Sequence, residues 1–382
     1  MKIAIDARPL VTKQMGGTQQ RARAIVGALA ELKNEHEYRL LYDWPAEAEQ
    51  FDETFLKELP ANFVPVEIGS YQFPTHMHLG ARMLNALSRA LGRAGADVYH
   101  AFTPFVPRTN ACPVVPTVHD LSFELDPMVR RTTAGRELRK MTTWSVEYAA
   151  RIVAVSSQTK SDIASVYAVN PEEIDVIYNG IDPIFTPAPE LPPRTRVHTD
   201  NQISGAYLLA VGADIPRRNY ARLLDALYPL WEGGVKVQWV LAGRDDWKVS
   251  DIYHQAREAG VLERMRFVTS PTNEELVQLY RGATITCCAS SFEGFGLSVL
   301  ESMACGTPAA CSDMRSLREV AEDAAVYFSH DDPEAMSEAI GGLLEDAEYR
   351  RQLKYRGLAR AGKFTWKTAA ELTLKALEEA GK

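Results

Sequence analysis

SSFEGFGLSVLESMACGTP, residues 290–308, is the stretch on which the reading of this chain turns. A loop tipped with Glu293 and carrying Gly294 and Gly296 runs into a short predicted helix that holds Glu301. Glycines there leave out side chains where a backbone must approach an anion, and the first turn of a helix offers unpaired N–H groups and a partial positive charge. Seven residues separate Glu293 from Glu301, so one carboxylate precedes the helix and the other lies one to two turns into it. That spacing suits the two ends of one long polar ligand with a diphosphate between them. A glycine-rich turn between strand and helix also serves many α/β folds simply as a corner, and the turn alone does not separate the two readings.

The whole string closely resembles the E-x7-E signature of family 4, the retaining glycosyltransferases of GT-B fold that include bacterial mannosyl- and glucosyltransferases. The resemblance implies that Glu293 contacts the transferred sugar. It implies that Gly294 and the backbone of Phe295, Gly296 and Leu297 meet the diphosphate, and that Glu301 binds the ribose hydroxyls.

At 382 residues the chain is long for one domain, and two are expected. Apolar residues make up 46% and charged residues 24%, which suits a soluble protein with sizeable cores. A net charge of −8 argues against general nucleic-acid binding, which draws its affinity from a basic field. Five cysteines, none in a Cys-x-x-Cys unit, read as buried thiols in a reducing compartment. MKIAIDARPL is too short an apolar run for a signal peptide, and no stretch reaches the length of a membrane span. The expected location is the cytoplasm, with peripheral contact at the inner membrane face.

Working outward, short apolar runs at Lys2–Ile5, Tyr38–Tyr42, Val64–Ile68, Asp97–Ala101, Val114–Val118, Arg151–Val155 and Ile174–Ile177 predict strands. The first leads into a loop ending at Gly16–Gly17 and then a helix over Arg23–Leu32, an anion-holding layout or a plain turn. By resemblance, Gly16 and Gly17 sit beside the diphosphate and the acceptor. Tyr71–His78, YQFPTHMH, is predicted as a loop whose aromatics either grip an acceptor or pack on their own domain. Its two histidines lack carboxylate or thiol neighbours and make a poor metal site.

The strand ending at Val118 delivers His119–Asp120 to its C-terminal end, where open α/β sheets bind ligands. The pair could act as base and orienter, or His119 could simply be hydrogen-bonded in a loop. TVHDLSF resembles the family motif in which the histidine lies under the donor sugar, which implies His119 as a site residue. The run Met128–Lys140, MVRRTTAGRELRK, carries five cations against one glutamate. It reads as a solvated helix face, or as a surface for anionic lipid headgroups or a phosphorylated acceptor.

Prolines concentrate over 183–205, the expected linker between a first domain, 1–182, and a second, 206–364. The second domain opens with YLLAVG and then ADIPRRNYARLLDAL, repeating the strand, loop and helix of the first. The expected fold is therefore α/β, with two doubly wound Rossmann-like domains facing across a cleft. In the family a terminal helix, here 365–382, crosses back to the first domain. Arg217 and Arg218 at the second switch point could neutralise a diphosphate, or serve only solubility. The family pattern ends in Arg-Lys-Asn; here Arg218 replaces the lysine, so charge is kept while contact geometry is not. Arg217 and Arg218 are the expected donor-binding cations.

No Asp-x-Asp occurs, so the short chelating turn used by the other major glycosyltransferase fold is absent and no metal cofactor is expected. The resemblance implies a nucleotide-diphosphate sugar as donor, GDP-mannose favoured over a UDP-hexose, and as acceptor a hydroxyl of a glycan, a glycolipid or lipid-linked sugar, or a small molecule. It also implies retention, first by front-side attack with Glu293, His119 and Arg218 at the reacting centre, and second by double displacement, for which Glu293 is the candidate nucleophile. A nucleotide-dependent dehydrogenase would need a full G-x-G-x-x-G turn, which no stretch supplies. A catalytically silent sugar-nucleotide scaffold stays open as the alternative.

Overall fold

The computed structural model of the chain describes residues 1–12, 16–43, 52–68, 81–188, 195–243 and 246–382. The segment Tyr71–His78, Arg244 and the prolines Pro189, Pro192 and Pro193 of the expected linker lie outside the described residues. The chain divides into two compact units, Met1–Gly180 with Thr365–Lys382, and Ile181–Phe364.

The first unit runs β1 (Lys2–Asp6), α1 (Gly17–Glu31), β2 (Glu37–Tyr42), α2 (Thr54–Lys57), β3 (Phe63–Glu67), α3 (Ala81–Ala94), β4 (Val98–Ala101) and β5 (Val114–Val118). It continues through α4 (Ser122–Leu125), α5 (Pro127–Arg130), α6 (Thr133–Tyr148), β6 (Ile152–Ala154), α7 (Ser157–Tyr167) and β7 (Ile174–Val176). Its sheet has the order β3-β2-β1-β4-β5-β6-β7 with parallel pairing throughout. Short apolar strands suit such a sheet because helices cover both of its faces. Ile3 and Ile5 pack with Ile25, Val26 and Leu29 of α1, while Ala4 packs with Leu87 and Leu91 of α3.

The second unit runs α8 (Arg196–Asp200), β8 (Tyr207–Val211), α9 (Tyr220–Glu232), β9 (Gln238–Gly243), α10 (Asp251–Glu258), β10 (Met265–Thr269), α11 (Asn273–Gly282) and β11 (Ile285–Cys288). Then come α12 (Leu297–Ala304), β12 (Ala309–Ser312), α13 (Arg315–Ala321), β13 (Ala325–Phe328), α14 (Pro333–Glu345) and α15 (Ala347–Ala361). Its sheet, β10-β9-β8-β11-β12-β13, is likewise parallel. In each sheet the chain reverses its direction of build beside the first strand, between β1 and β4 and between β8 and β11. Ligands of doubly wound sheets bind at such a reversal.

The last helix, α16 (Trp366–Ala380), belongs to the first unit. Trp366, Ala369, Ala370, Ala376 and Leu377 form its buried stripe and join the core made by β1 and α1. The expected linker differs in its second half. Thr195 caps α8 in a reciprocal box with His198, and buried His198 reaches the Tyr207 hydroxyl at 3.0 Å, which seats this segment inside the second unit. Helix α1 also starts earlier than the apolar period suggests, at the second glycine of the pair. The basic run is split into α5 and α6, with Thr132 capping the second through the Gly135 amide. All five cysteines are buried and unpaired.

Candidate active site

In the second unit, two loops leave the sheet at its reversal point: 212–219 after β8 and 289–296 after β11. They are stitched together by backbone and side chain. The Ser291 amide donates to the Arg217 carbonyl at 2.8 Å. Asn219, in the left-handed region at φ 60° that its short polar side chain tolerates, donates to the carbonyls of Ala289 (3.1 Å) and His330 (2.6 Å). The arginines of one loop are thereby set against the glutamate of the other.

Glu293 is buried, at 8% exposure. Its Oε1 accepts from Arg218 Nη1 and, at 2.8 Å, from the Ser290 hydroxyl. Arg217 Nη1 lies 3.5 Å from Oε2 and donates to the Phe292 carbonyl at 3.1 Å. The loop's own position is fixed from α13, whose Ser316 hydroxyl donates to the Glu293 carbonyl at 2.6 Å. Two guanidiniums against one carboxylate leave a net local charge of +1. The Glu293 carboxylate, the largest influence on Arg218, holds its guanidinium firmly charged.

Gly212 makes room for this arrangement. A Cβ there would stand 2.7 Å from Arg218 Nε and 2.9 Å from its Cζ, and the backbone has φ +137°. Arg218 Nε itself is buried without a hydrogen-bond partner among the described residues. A charged donor set with spare capacity, neutralised only in part, matches the chemistry of a phosphate group.

Gly296 caps helix α12, and its φ of +101° and close neighbour Leu317 leave space for no side chain. Gly294 and Phe295 are buried beside it, and the Phe295 ring meets Phe364 edge-on. Leu297 is the first helical residue. Glu301, 6% exposed, sits in the second turn, where Oε2 accepts from the Tyr280 hydroxyl at 2.8 Å. The seven-residue spacing thus places one carboxylate before the helix and one inside it, as the sequence suggests.

In the first unit, His119 follows β5 directly and its Nε2 donates to the Phe102 carbonyl at 2.8 Å. The neutral ring therefore keeps Nδ1 as an acceptor. Burial, then the nearby Arg21 charge, lowers its pKa to about 4, so it is uncharged at neutral pH. Asp120 does not orient it: that carboxylate accepts at 2.8 Å from the amide of Ser122, the first residue of α4. The base-and-orienter reading of the pair gives way to a neutral histidine held by a carbonyl. Gly16 caps α1 in extended backbone and Gly17 is its first residue.

Sequence reasoning passed over several supporting groups. Ser290, Asn219, Tyr280 and Arg21 carry no motif beyond their neighbourhood, although Ser290 and Asn219 stand in strings already quoted. Arg21 is 1% exposed, donates to Asn179 Oδ1 at 2.6 Å, and forms no ion pair among the described residues.

The pattern described as "Glycosyltransferase Family 4" matches residues 15–185, and that described as "Glycosyl transferases group 1" matches residues 196–360. O-antigen chain mannosyltransferase B of Escherichia coli is 30% identical over 285 residues, covering 73% of each chain. This chain is a family 4 glycosyltransferase. The MMP alpha-(1->4)-mannosyltransferase of Mycolicibacterium hassiacum is 27% identical to this glycosyltransferase, over 70% of the chain and 66% of the relative. Sucrose-phosphate synthase from Thermosynechococcus elongatus matches its fold with TM-score 0.78 at 18% identity, over 99% of this chain and 98% of that one. Anabaena HepE, crystallised with UDP and glucose, matches with TM-score 0.72 at 17% identity, over 99% and 100%. The glycosyltransferase has the GT-B architecture of two Rossmann-like domains and transfers sugar from a nucleotide sugar. Among the described residues no helix is long and apolar enough to cross a membrane.

Proposed function

We propose that this glycosyltransferase moves mannose from GDP-mannose to a hydroxyl of a glycan, glycolipid or small molecule, with retention of anomeric configuration and without a metal cofactor. The observation that carries the donor reading is the Arg217–Arg218–Glu293 cluster at the sheet reversal, one loop away from Glu301. Two guanidiniums and the loop amides before α12 can take a diphosphate once the donor displaces Arg218 from Glu293. Freed in that exchange, the Glu293 carboxylate can accept from a sugar hydroxyl. Glu301 is assigned to the ribose.

In the transfer, the acceptor oxygen bonds to the anomeric carbon as the bond from that carbon to the phosphate oxygen breaks. The departing phosphate oxygen takes the acceptor proton on the same face. Arg218, Arg217 and the amides of Phe295 to Leu297 stabilise the charge that develops on the diphosphate, which is electrostatic catalysis by fixed donors. His119, uncharged, contributes an acceptor at Nδ1 and cannot serve as the proton donor.

Mannose is favoured by the mannosyltransferase relatives. A UDP-hexose is the second reading, favoured by the UDP and glucose bound in HepE. A lipid-linked acceptor would bring the protein to the inner membrane face, and the exposed Arg130, Arg131, Arg136 and Lys140 are the cations assigned to that contact. The test is product formation from GDP-mannose and UDP-glucose with oligosaccharide acceptors, in parallel with Glu293→Ala. Transfer that falls at least about a hundredfold in the variant supports the reading. A wild-type protein that binds donor but forms no product with any acceptor would be a silent scaffold instead.

A further inference from the structure

Tyr280 lies at the end of α11, fully buried, and nothing in the motif string points to it. Three contacts fix it. Its ring meets Phe185 edge-on with centroids 6.0 Å apart. Its carbonyl accepts from the Thr307 hydroxyl at 2.5 Å. Its own hydroxyl donates to Glu301 Oε2 at 2.8 Å. A tyrosine so enclosed has no second rotamer available, so the carboxylate bonded to it is held in one place. Burial, then the neighbouring Glu301 charge, pushes the phenol well up in pKa, which keeps the proton on the oxygen at any working pH.

We infer that Tyr280 is the positioning residue that makes the nucleotide site select ribose over deoxyribose, by fixing the Glu301 carboxylate through its buried hydroxyl. The inference rests on the proposed role of Glu301 at the ribose. A carboxylate that can swing accepts from a diol and from water about equally well, whereas a carboxylate held at one angle rewards the ligand whose two hydroxyls meet it. A site built to hydrogen-bond a hydroxyl rejects the analogue lacking it far more strongly than a merely apolar pocket could. The fixed carboxylate, placed by α11 from outside the E-x7-E string, would supply that discrimination.

The test compares GDP and UDP with their 2′,3′-dideoxy analogues by calorimetry, on wild type, Tyr280→Phe, Glu301→Gln and the double variant. Wild type should bind the better of the two ribonucleotides at least about tenfold tighter than its dideoxy analogue. In Tyr280→Phe the ratio should collapse to within about threefold, with dideoxy affinity unchanged, and in the double variant no further loss should follow. In the transfer reaction KM for the donor should rise while kcat holds, because ground and transition states use the ribose alike.

If Glu301→Gln leaves the ribose preference intact, the ribose assignment itself fails. If Glu301→Gln abolishes the preference while Tyr280→Phe keeps it, only the positioning role is overturned. Equal loss of ribo- and dideoxynucleotide affinity in Tyr280→Phe, together with a lowered melting temperature, would reduce Tyr280 to a packing residue and likewise overturn it.

Discussion

Replacing Glu293 by glutamine should weaken the fold, tighten nucleotide diphosphate binding and abolish transfer, all at once. The fold loses a charge partner. Removing one member of a buried ion pair costs about 3–5 kcal/mol when the other charge is stranded. Here Arg217 and Arg218 keep side-chain exposures of 22% and 19%, so water reaches them. The glutamine also retains an oxygen for Ser290 and Arg218. About 2 kcal/mol is therefore expected, toward the lower end. The binding term has the opposite sign. A carboxylate and a phosphate sharing one guanidinium stand about 6 Å apart, and at an effective dielectric near 20 their repulsion is about 3 kcal/mol. Partial exposure and salt reduce this to about 1.5 kcal/mol, or roughly tenfold in affinity. Calorimetry with GDP and UDP on wild type and variant reads the effect, with thermal unfolding alongside. A folded Glu293→Gln protein that binds both diphosphates no tighter than wild type would refute the claim that Glu293 competes with phosphate for Arg218.

Three other outcomes follow from the same geometry. Gly212→Ala forces a side chain to within 2.7 Å of Arg218 Nε at a backbone φ of +137°; diphosphate affinity should fall about tenfold or more, measured by calorimetry, as the guanidinium is displaced. Stability should be level above about pH 7 and decline as pH falls from about 6.5 toward 4. In that window the unfolded chain protonates His100 and His119 while the folded protein, with both lowered to about 4, does not. Melting temperature against pH for His100→Gln/His119→Gln should show a shallower decline, and an unchanged slope would remove both groups from the account. Trp366→Ala empties a site at the start of α16 against β1 and α1 and should cost about 3–5 kcal/mol in denaturant unfolding.

What could be read without coordinates was whatever is written locally. Strands of the parallel sheets announce themselves as short apolar runs because both faces are covered, and β5 falls at its expected bounds. The E-x7-E string also folds as its spacing suggests. What could not be read depends on contacts between distant positions. Arg218 and Glu293 are 75 residues apart, and nothing in either segment says that the glutamate turns inward to meet the arginine. The same holds for Tyr280 and Glu301 on consecutive helical elements, and for Arg21 with Asn179, 158 positions away. The His119–Asp120 pair left two readings open for the reverse reason. Adjacent residues on a turning chain point apart, and a carboxylate two residues before an open amide, here that of Ser122, is drawn to it. The proline-rich stretch hid α8 because composition weighs prolines and not the capping pair Thr195 and His198.

Arg218 is the residue proposed to bind phosphate in the second unit. Its most direct test is calorimetry of GDP, UDP and ADP in EDTA, on wild type and on Arg218→Met. One diphosphate should bind the wild type selectively, and the variant should lose about thirtyfold or more of that affinity while remaining folded. Equal affinity in the variant, or no binding of any of the three with or without magnesium, would contradict it.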